Sequence, residues 1–219
     1  EFIVLMGRSG SGKTTLLKHL KKNLTPYGHK KGSVKYKGSD IEELDDRVNA
    51  SEIGFVRQDT DNQIVTDKVW HELAFGLESL GVDNNRIRRR EAEVSAYFGI
   101  DPWLSESTAK LSGGQKQLLN LASVMIMDPA LLVLDEPTAQ LDPVTASEFL
   151  RTIERLNREL GVTVILSEHR LDEVYITDTI PHPELAGDPK IRIVSMAAIF
   201  AGTIYKVYNY ESISSQFIY

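Results

Sequence analysis

The chain has 219 residues, a net charge of −6 at neutral pH and no cysteine, and 42% of its residues are hydrophobic against 26% that are charged. These values are typical of a folded globular domain and argue against a large nucleic-acid-binding surface. The lack of cysteine excludes disulfide bonds, cysteine-ligated zinc and thiol catalysis, and it fits a cytosolic setting. No apolar run reaches the roughly 18–20 residues that a membrane-spanning helix needs, so we expect any membrane role to depend on partner proteins.

The first motif along the chain is a glycine-rich loop between an apolar run and an amphipathic segment. The run FIVLM predicts a buried strand, GRSGSGKTT follows it, and TTLLKHLKKNL has helical periodicity. The pattern G-x-x-x-x-G-K-[ST] in this context is typical of loops whose backbone N–H groups bind the phosphates of a nucleoside triphosphate. Lys13 would contact the β- and γ-phosphates, and the Thr14 hydroxyl would ligate Mg²⁺. The nucleotide-binding residues that we predict here are Gly7, Ser9, Gly10, Ser11, Gly12, Lys13, Thr14 and Thr15.

Strands and helices then alternate along most of the chain. GSVKYKGSDI predicts strands around Gly38, and EIGFVRQD predicts a short strand that ends at Gln58. Helical patterns follow from Asp67 to Phe98, and the segment IRIVSMAAIFAGTI near the end predicts two strands joined by a tight turn. We therefore predict an α/β fold with a mainly parallel sheet, a small antiparallel β subdomain near the N-terminus and a helical subdomain. Because the chain opens without Met and within an apolar run, we expect further strands to precede it in the natural protein.

Two carboxylates follow an unbroken apolar strand. LLVLDEP places Asp135 and Glu136 where that strand ends, and in a parallel sheet the carboxyl ends of the strands meet the ligand. We predict that Asp135 holds Mg²⁺ and that Glu136 acts as the general base toward the attacking water. ILSEHR places His169 at the end of the next strand, where its imidazole can reach the γ-phosphate and help to order that water.

The motif LSGGQ, residues 111–115, places a hydroxyl and two glycines directly before the helix QKQLLNLASVMIM. It is a second potential phosphate-binding helix N-terminus. One triphosphate does not need two such sites in one subunit. We therefore predict a head-to-tail dimer, in which this motif binds the nucleotide of the opposite subunit.

Six ordered motifs together resemble the ATP-binding cassette family of transporter ATPases. They are GRSGSGKT, Gln58 after a strand, LSGGQ, LLVLDE, AQLD and SEH, and the resemblance covers Phe2 to about Tyr175. It implies that the chain binds ATP and Mg²⁺, that Gln58 contacts the metal and couples to a transmembrane partner, and that Asp142 lines the dimer interface. It also implies that the γ-phosphate in the opposite subunit is bound by the signature residues Ser112, Gly113, Gly114 and Gln115.

Within that family, RQDTDNQIVTDKVWHELAFGLESLG resembles the ATPases of energy-coupling-factor importers for vitamins or transition-metal ions. This resemblance implies a motor subunit at the cytoplasmic face of the membrane, where ATP-driven dimer closure drives transmembrane subunits. The segment also contains more apolar residues than one helix face needs, so we predict that it docks helices of such a subunit. These residues are Ile64, Val65, Val69, Trp70, Leu73 and Phe75. We expect residues 1–219 to form one nucleotide-binding domain, with a helical subdomain at about 67–127 and a loosely matching tail at about 178–219.

Three alternatives remain open at the level of sequence. A cassette ATPase of the chromosome-maintenance or ribosome-associated kind would act on nucleic acid, but such chains carry long coiled coils or two cassettes, and this sequence shows neither. A P-loop kinase for small molecules would have no use for LSGGQ. An ATPase of another cassette importer or exporter class differs from the favoured interpretation only in its membrane partner and cargo.

Overall fold

A computed structural model of the chain describes residues 1–168, 174–177 and 191–194. The chain divides into two compact units, Glu1–His169 and Arg170–Tyr219. The helices and strands are β1 (Phe2–Met6), α1 (Lys13–Lys18), β2 (Lys35–Tyr36), β3 (Ser39–Asp40), α2 (Asp46–Glu52), β4 (Ile53–Val56), α3 (Val69–Ser79), α4 (Asn84–Phe98), α5 (Gly113–Met125), β5 (Leu131–Asp135), α6 (Pro143–Leu160), β6 (Thr163–Glu168), β7 (Val174–Thr177) and β8 (Ile191–Val194).

The central sheet has the strand order β1-β6-β5-β4, and every neighbouring pair in it is parallel. Both faces of β5 are covered, because Leu132 and Leu134 belong to one hydrophobic cluster while Val133 belongs to another. Successive side chains of a strand point to opposite faces, so a strand buried on both sides reads as an unbroken apolar run. The predicted parallel α/β sheet is confirmed. The prediction that FIVLM is a buried strand is wrong, because β1 lies at the edge of this sheet and Phe2, Ile3, Val4 and Met6 are 40%, 41%, 41% and 52% exposed.

The strand register brings three of the predicted motifs to one edge of this sheet. Met6, which precedes the glycine-rich loop, pairs with Glu168 at the end of β6. Ser167 of the same strand pairs with Asp135 at the end of β5. The loop that carries Gln58 leaves from the neighbouring strand β4 at this same edge, because all four strands run in the same direction.

The helical subdomain packs on one face of the sheet mainly through α5, and α3 and α4 pack against α5. The predicted helical stretch from Asp67 to Phe98 is two helices, with a turn at Gly81 that has a φ of 67°. Asp83 caps the second helix by accepting the N–H of Asn85 at 2.8 Å. A positive φ at a glycine followed by an aspartate cap is the usual way to end one helix and begin the next.

The small antiparallel sheet near the N-terminus consists of β2 and β3. Tyr36 pairs with Ser39, and the two residues between them, Lys37 and Gly38, have φ values of 49° and 87°. Two consecutive positive φ angles are typical of the tight turn that matches the twist of a hairpin. The prediction of strands around Gly38 is confirmed, although each strand is only two residues long.

Several predicted boundaries differ from the structure. The helix predicted over TTLLKHLKKNL, residues 14–24, ends at Lys18. Strand β4 ends at Val56, two residues before Gln58, where the side-chain oxygen of Gln63 accepts the N–H of Arg57 at 2.7 Å. Strand β8 pairs in parallel with β7, which the sequence analysis did not predict as a strand. The turn and second strand predicted after Val194 lie outside the described residues.

Among the described helices, none is long and apolar enough to cross a membrane.

Candidate nucleotide-binding site

The glycine-rich loop after β1 has the backbone shape that phosphate binding requires. Gly10 and Gly12 have φ values of 79° and 92°, in the left-handed region that residues with a Cβ rarely adopt. Gly12 lies immediately before α1, so the N–H groups of the first helical turn face the loop. The Lys13 ammonium lies over the loop and donates to the carbonyls of Gly7 at 2.8 Å and Arg8 at 3.3 Å. The predicted loop residues Ser9, Ser11 and Thr15 are exposed to solvent.

The predicted metal ligands Thr14 and Asp135 meet although they are far apart in sequence. The Thr14 hydroxyl donates to Asp135 Oδ1 at 3.0 Å, and Asp135 is only 3% exposed. A hydroxyl and a carboxylate oxygen suit Mg²⁺, which is usually held by one or two protein carboxylates together with phosphate oxygens and water. The described residues contain no cluster of three or more histidine or acidic side chains that could hold a metal ion without such phosphates.

Glu136 lies between two of the other predicted functional residues. Its Oε1 is 3.3 Å from the Lys13 ammonium, and its Oε2 accepts the side-chain N–H of Gln58 at 3.1 Å. Glu136 has a φ of 45°, which is uncommon for a residue with a side chain and costs energy wherever it occurs. The structure therefore joins three separate segments at one carboxylate.

A cleft of about 490 Å³ opens beside these groups. Its walls are formed by Thr14, Lys18, Phe55, Arg57, Gln58, Asp59, Asn62, Asp135 and Gln140. The sequence analysis predicted Thr14, Gln58 and Asp135 in this place but missed Gln140. The only sequence signal for Gln140 is its position within AQLD, between Glu136 and Asp142.

The signature residues form a second cleft, of about 620 Å³. Ser112 caps helix α5: its hydroxyl accepts the N–H of Gln115 at 3.3 Å, while the Gln115 side chain accepts the N–H of Ser112 at 2.9 Å. The two glycines differ, because a Cβ on Gly113 would meet open space whereas one on Gly114 would lie 2.6 Å from the Thr145 methyl carbon. Gly114 therefore has a packing role that the sequence analysis did not foresee.

Asp142, predicted at a dimer interface, caps the start of helix α6. Its Oδ1 accepts the N–H groups of Val144 and Thr145 at 3.1 Å each, and its Oδ2 accepts the Thr145 hydroxyl at 2.6 Å. These hydrogen bonds from Thr145 hold the pKa of Asp142 below its ordinary value. Asp142 also lines the signature cleft, together with Gln140.

The model of the family described as ABC transporter matches residues 1–139. The chain belongs to this family. It is 56% identical over 174 residues to a putative ABC transporter ATP-binding protein of Bacillus thuringiensis, across 80% of this chain and 32% of that protein. It is 41% identical over 180 residues to the energy-coupling factor transporter ATP-binding protein EcfA1 of Clostridium perfringens, across 82% of this chain and 63% of that protein.

Two solved structures share the fold of this ABC domain. The first is cbiO1 from Clostridium perfringens, described as part of the ABC transporter complex cbiONQ, with 32% identity, a TM-score of 0.70 and coverage of 78% of this chain and 68% of that one. The second is the ATP-binding cassette MJ0796 as a dimer in a post-hydrolysis state bound to ADP and Pi. It has 28% identity, a TM-score of 0.64 and coverage of 77% of this chain and 75% of that one. The chain spans between about a third and two thirds of the length of the curated relatives named above.

A buried polar network connects the signature helix of the ABC domain to the loop that carries Gln58. The side chain of Gln117, on α5, accepts the Thr60 hydroxyl at 2.8 Å and donates to the Pro137 carbonyl at 2.8 Å. Asn120 donates to the Thr60 carbonyl at 3.1 Å. Because Pro137 follows Glu136 directly, the network reaches Glu136 through the backbone. The sequence analysis missed it, although two amides on the apolar side of a helix are a recognisable signal.

The sequence-predicted residues thus fall into two groups in this ABC domain. Thr14, Gln58 and Asp135 line the first cleft, and Lys13 and Glu136 meet beside it. The signature residues and Asp142 line the second cleft. His169 lies outside the described residues, and its role stays a prediction from the sequence.

Proposed function

We propose that this chain binds Mg²⁺–ATP in the first cleft and hydrolyses it with Glu136 as the general base. The observation that carries the proposal is the contact of Glu136 with both Lys13 and Gln58, beside the Thr14–Asp135 pair. A buried carboxylate with a cation and an amide on its two oxygens is held in one orientation, which a base must have to accept a proton from a positioned water. Solved structures of relatives include a cassette bound to ADP and Pi, which supports nucleotide hydrolysis.

Each residue of the first cleft has a separate task in this proposal. The Lys13 ammonium exchanges its carbonyl contacts for the β- and γ-phosphate oxygens, which are stronger acceptors because they are charged. Thr14 and Asp135 hold Mg²⁺, which supplies positive charge to the phosphates. Gln58 orients the Glu136 carboxylate, and through the loop that follows it can report the state of the site. His169 is proposed, from the sequence motif, to contact the γ-phosphate.

The variant Glu136→Gln tests the base. It keeps the size of the side chain, but an amide cannot act as the base, and its single oxygen can accept from only one of the two donors, Lys13 and Gln58. We expect ATP affinity to stay within about threefold of the wild type while hydrolysis falls by roughly 10²-fold or more. Glu154→Gln removes a carboxylate from the exposed side of α6 and is the matched control. Hydrolysis by Glu136→Gln at the wild-type rate would remove Glu136 from the mechanism.

We further propose that the signature cleft binds the γ-phosphate of a second ATPase subunit, with two nucleotides held between two head-to-tail subunits. The N-terminus of the 13-residue helix α5 lines this cleft, and the open space beside Gly113 leaves room for a phosphate there. Asp142 would line the interface between the subunits. The dimeric state of the MJ0796 cassette supports this arrangement.

The complete protein is proposed to be the motor subunit of an importer of the energy-coupling-factor type, for a vitamin or a transition-metal ion, at the cytoplasmic face of the membrane. The similarity to EcfA1 and to cbiO1 supports this importer type. Residues 1–219 are proposed to form one nucleotide-binding domain, with its helical subdomain at about 67–127. No nucleic acid is part of the proposal.

The segment after Gln58 is the proposed docking surface for transmembrane subunits. Val69 and Leu73 are fully buried and Ile64 packs against the core, whereas Val65 and Trp70 are 62% and 47% exposed. Phe75, which the sequence analysis also assigned to this surface, is 44% exposed. The proposed docking surface therefore consists of Val65, Trp70 and Phe75, which face solvent, and not of all six apolar residues.

Charged substitutions at the exposed positions test the docking surface. We expect Val65→Asp and Trp70→Glu to reduce co-purification of membrane subunits at least tenfold, because the partner would have to bury a charge, while ATP affinity stays unchanged. Leu160→Asp, at an exposed apolar residue on α6, is the matched control. If both docking variants still recover the membrane subunits in full, the coupling surface lies elsewhere on the chain.

A further inference from the structure

The hydroxyl of Ser167 bridges the two carboxylate-bearing residues at the end of β5. It donates to Asp135 Oδ1 at 2.9 Å and accepts the backbone N–H of Glu136 at 2.9 Å. Ser167 has no exposed surface, so water does not compete for these bonds. One buried hydroxyl thus fixes both a side chain and the backbone of the neighbouring residue.

The same carboxylate oxygen of Asp135 also accepts the Thr14 hydroxyl at 3.0 Å. Two hydroxyl donors, one from the glycine-rich loop and one from β6, therefore converge on Oδ1. They orient the Asp135 carboxylate, because a carboxyl group with two donors on one oxygen has little freedom to rotate. The second oxygen, Oδ2, is left to take up other contacts in the cleft that Asp135 lines.

The backbone of Glu136 needs support of this kind. Its φ of 45° is strained for a residue with a side chain, and such conformations persist only where several neighbours hold them. The Glu136 N–H donates to two oxygens of Ser167, the hydroxyl at 2.9 Å and the carbonyl at 3.2 Å. Removing the hydroxyl leaves the weaker, longer contact alone.

The next residue of β6 restrains the same loop farther along. Glu168 is 2% exposed, and its Oε1 accepts the Thr138 hydroxyl at 2.5 Å. Its Oε2 is buried and finds no hydrogen-bond partner among the described residues, which costs stability that an apolar residue would not. Residues at the end of β6 therefore form hydrogen bonds with Asp135, Glu136 and Thr138.

We infer that Ser167 is a positioning residue that sets the orientation of Asp135 toward Mg²⁺ and of Glu136 toward the attacking water. The inference rests on the proposed function, since it assigns Ser167 to the same site. Ser167 itself touches neither substrate nor metal; it acts through the two carboxylates. A serine with only a structural role would affect stability without changing how strongly Mg²⁺ improves nucleotide binding.

The test measures ATP affinity of the full chain in Mg²⁺ and in EDTA, by equilibrium titration with a fluorescent ATP analogue, together with kcat. For Ser167→Ala we expect the ratio of the two affinities to fall about fivefold and kcat to fall about tenfold. Ser167→Thr keeps the hydroxyl and should restore most of both. Ser167→Cys, with a weak donor of similar size, gives an intermediate ratio and serves if the alanine variant does not fold.

Ser95→Ala is the matched control, because Ser95 is equally buried and its hydroxyl donates to Asp101 at 2.9 Å, outside the cleft. It should leave the affinity ratio unchanged. A wild-type ratio in folded Ser167→Ala or Ser167→Cys overturns the inference whatever happens to kcat, and so does a folded Ser167→Thr that fails to recover. If the wild-type chain itself gains nothing from Mg²⁺, the proposed function fails and not the assignment of Ser167 alone.

Discussion

The first cleft and the signature cleft are built from contacts of different range. In the first, the Thr14–Asp135 bond spans 121 positions and the Gln58–Glu136 bond spans 78. In the second, Ser112 and Gln115 bond to each other across three positions. A site assembled from distant segments is held by the whole sheet. The cap at Ser112 is local, although the cleft beside it is also lined by the start of α6.

Gln140 is the point at which the two clefts meet, since it lines both. Its neighbours on the chain are also divided between them, because Glu136 belongs to the first cleft and Asp142 to the second. The difference between the clefts is that hydrogen bonds between distant segments join the residues of the first, whereas the signature cleft is proposed to bind the nucleotide of a second subunit. Three tests, given in order of decreasing expected effect, distinguish the two clefts.

Loss of the Lys13 cation should have the largest effect. We expect Lys13→Ala to weaken ATP binding at least 10²-fold, because the charged contact with the phosphates in the first cleft is lost. Isothermal titration in the presence of Mg²⁺ measures it. Arg88→Ala, which removes an exposed cation from α4, is the matched control and should bind ATP normally. Unchanged affinity in Lys13→Ala would show that the glycine-rich loop is not the phosphate site.

The division of labour between subunits can be tested by mixing two inactive variants. Ser112→Arg fills the signature cleft with a bulky cation, so it should inactivate the site of the opposite subunit, while Lys13→Ala inactivates its own. In a mixed dimer both lesions fall on one composite site, and the other site is intact. We expect up to about half of the wild-type hydrolysis per mixed dimer, measured by phosphate release after subunit exchange.

The same mixture also has a contrary outcome. If subunit exchange is demonstrated by differently tagged chains and no hydrolysis returns, the signature acts within its own subunit. Ser112→Ala is the milder control, because it removes the cap hydroxyl without filling the cleft.

Alanine substitutions at the two signature glycines should have the smallest effect of the three tests. They distinguish a glycine needed for packing from one that is not. Gly114→Ala should lower the free energy of unfolding by about 1–3 kcal/mol, because its Cβ would lie 2.6 Å from the Thr145 methyl carbon. The Cβ of Gly113→Ala would lie in open space, so the free energy of unfolding should stay within about 0.5 kcal/mol of the wild type. Urea unfolding measures both.

A second substitution, at Thr145, tests whether the contact with its methyl group causes this loss of stability. Thr145→Ser removes the methyl group that Gly114→Ala would strike, and it keeps the hydroxyl that donates to Asp142. The double variant should therefore recover most of the lost stability. If Gly114→Ala is as stable as the wild type, α5 and α6 do not pack as closely as the structure has them.

The sequence by itself determined the parts of this protein that depend on neighbouring residues. Short sequence patterns predict the glycine-rich loop, the start of the helix that follows it and the apolar strand before Asp135, since backbone freedom and apolar patterning are local properties of the chain. Membership of the ABC transporter family followed from the order of such patterns.

Only the tertiary structure decided which side chains meet. Strand order and register place Ser167 beside Asp135, and the SEH motif that contains this serine does not by itself reveal that contact. Packing likewise decided that Val69 is buried while Val65 is exposed, and that Gly114 but not Gly113 needs to be a glycine. The physical reason is common to these cases: the environment of a side chain is set by residues that are distant in sequence, and the folded sheet alone brings them within a few ångströms.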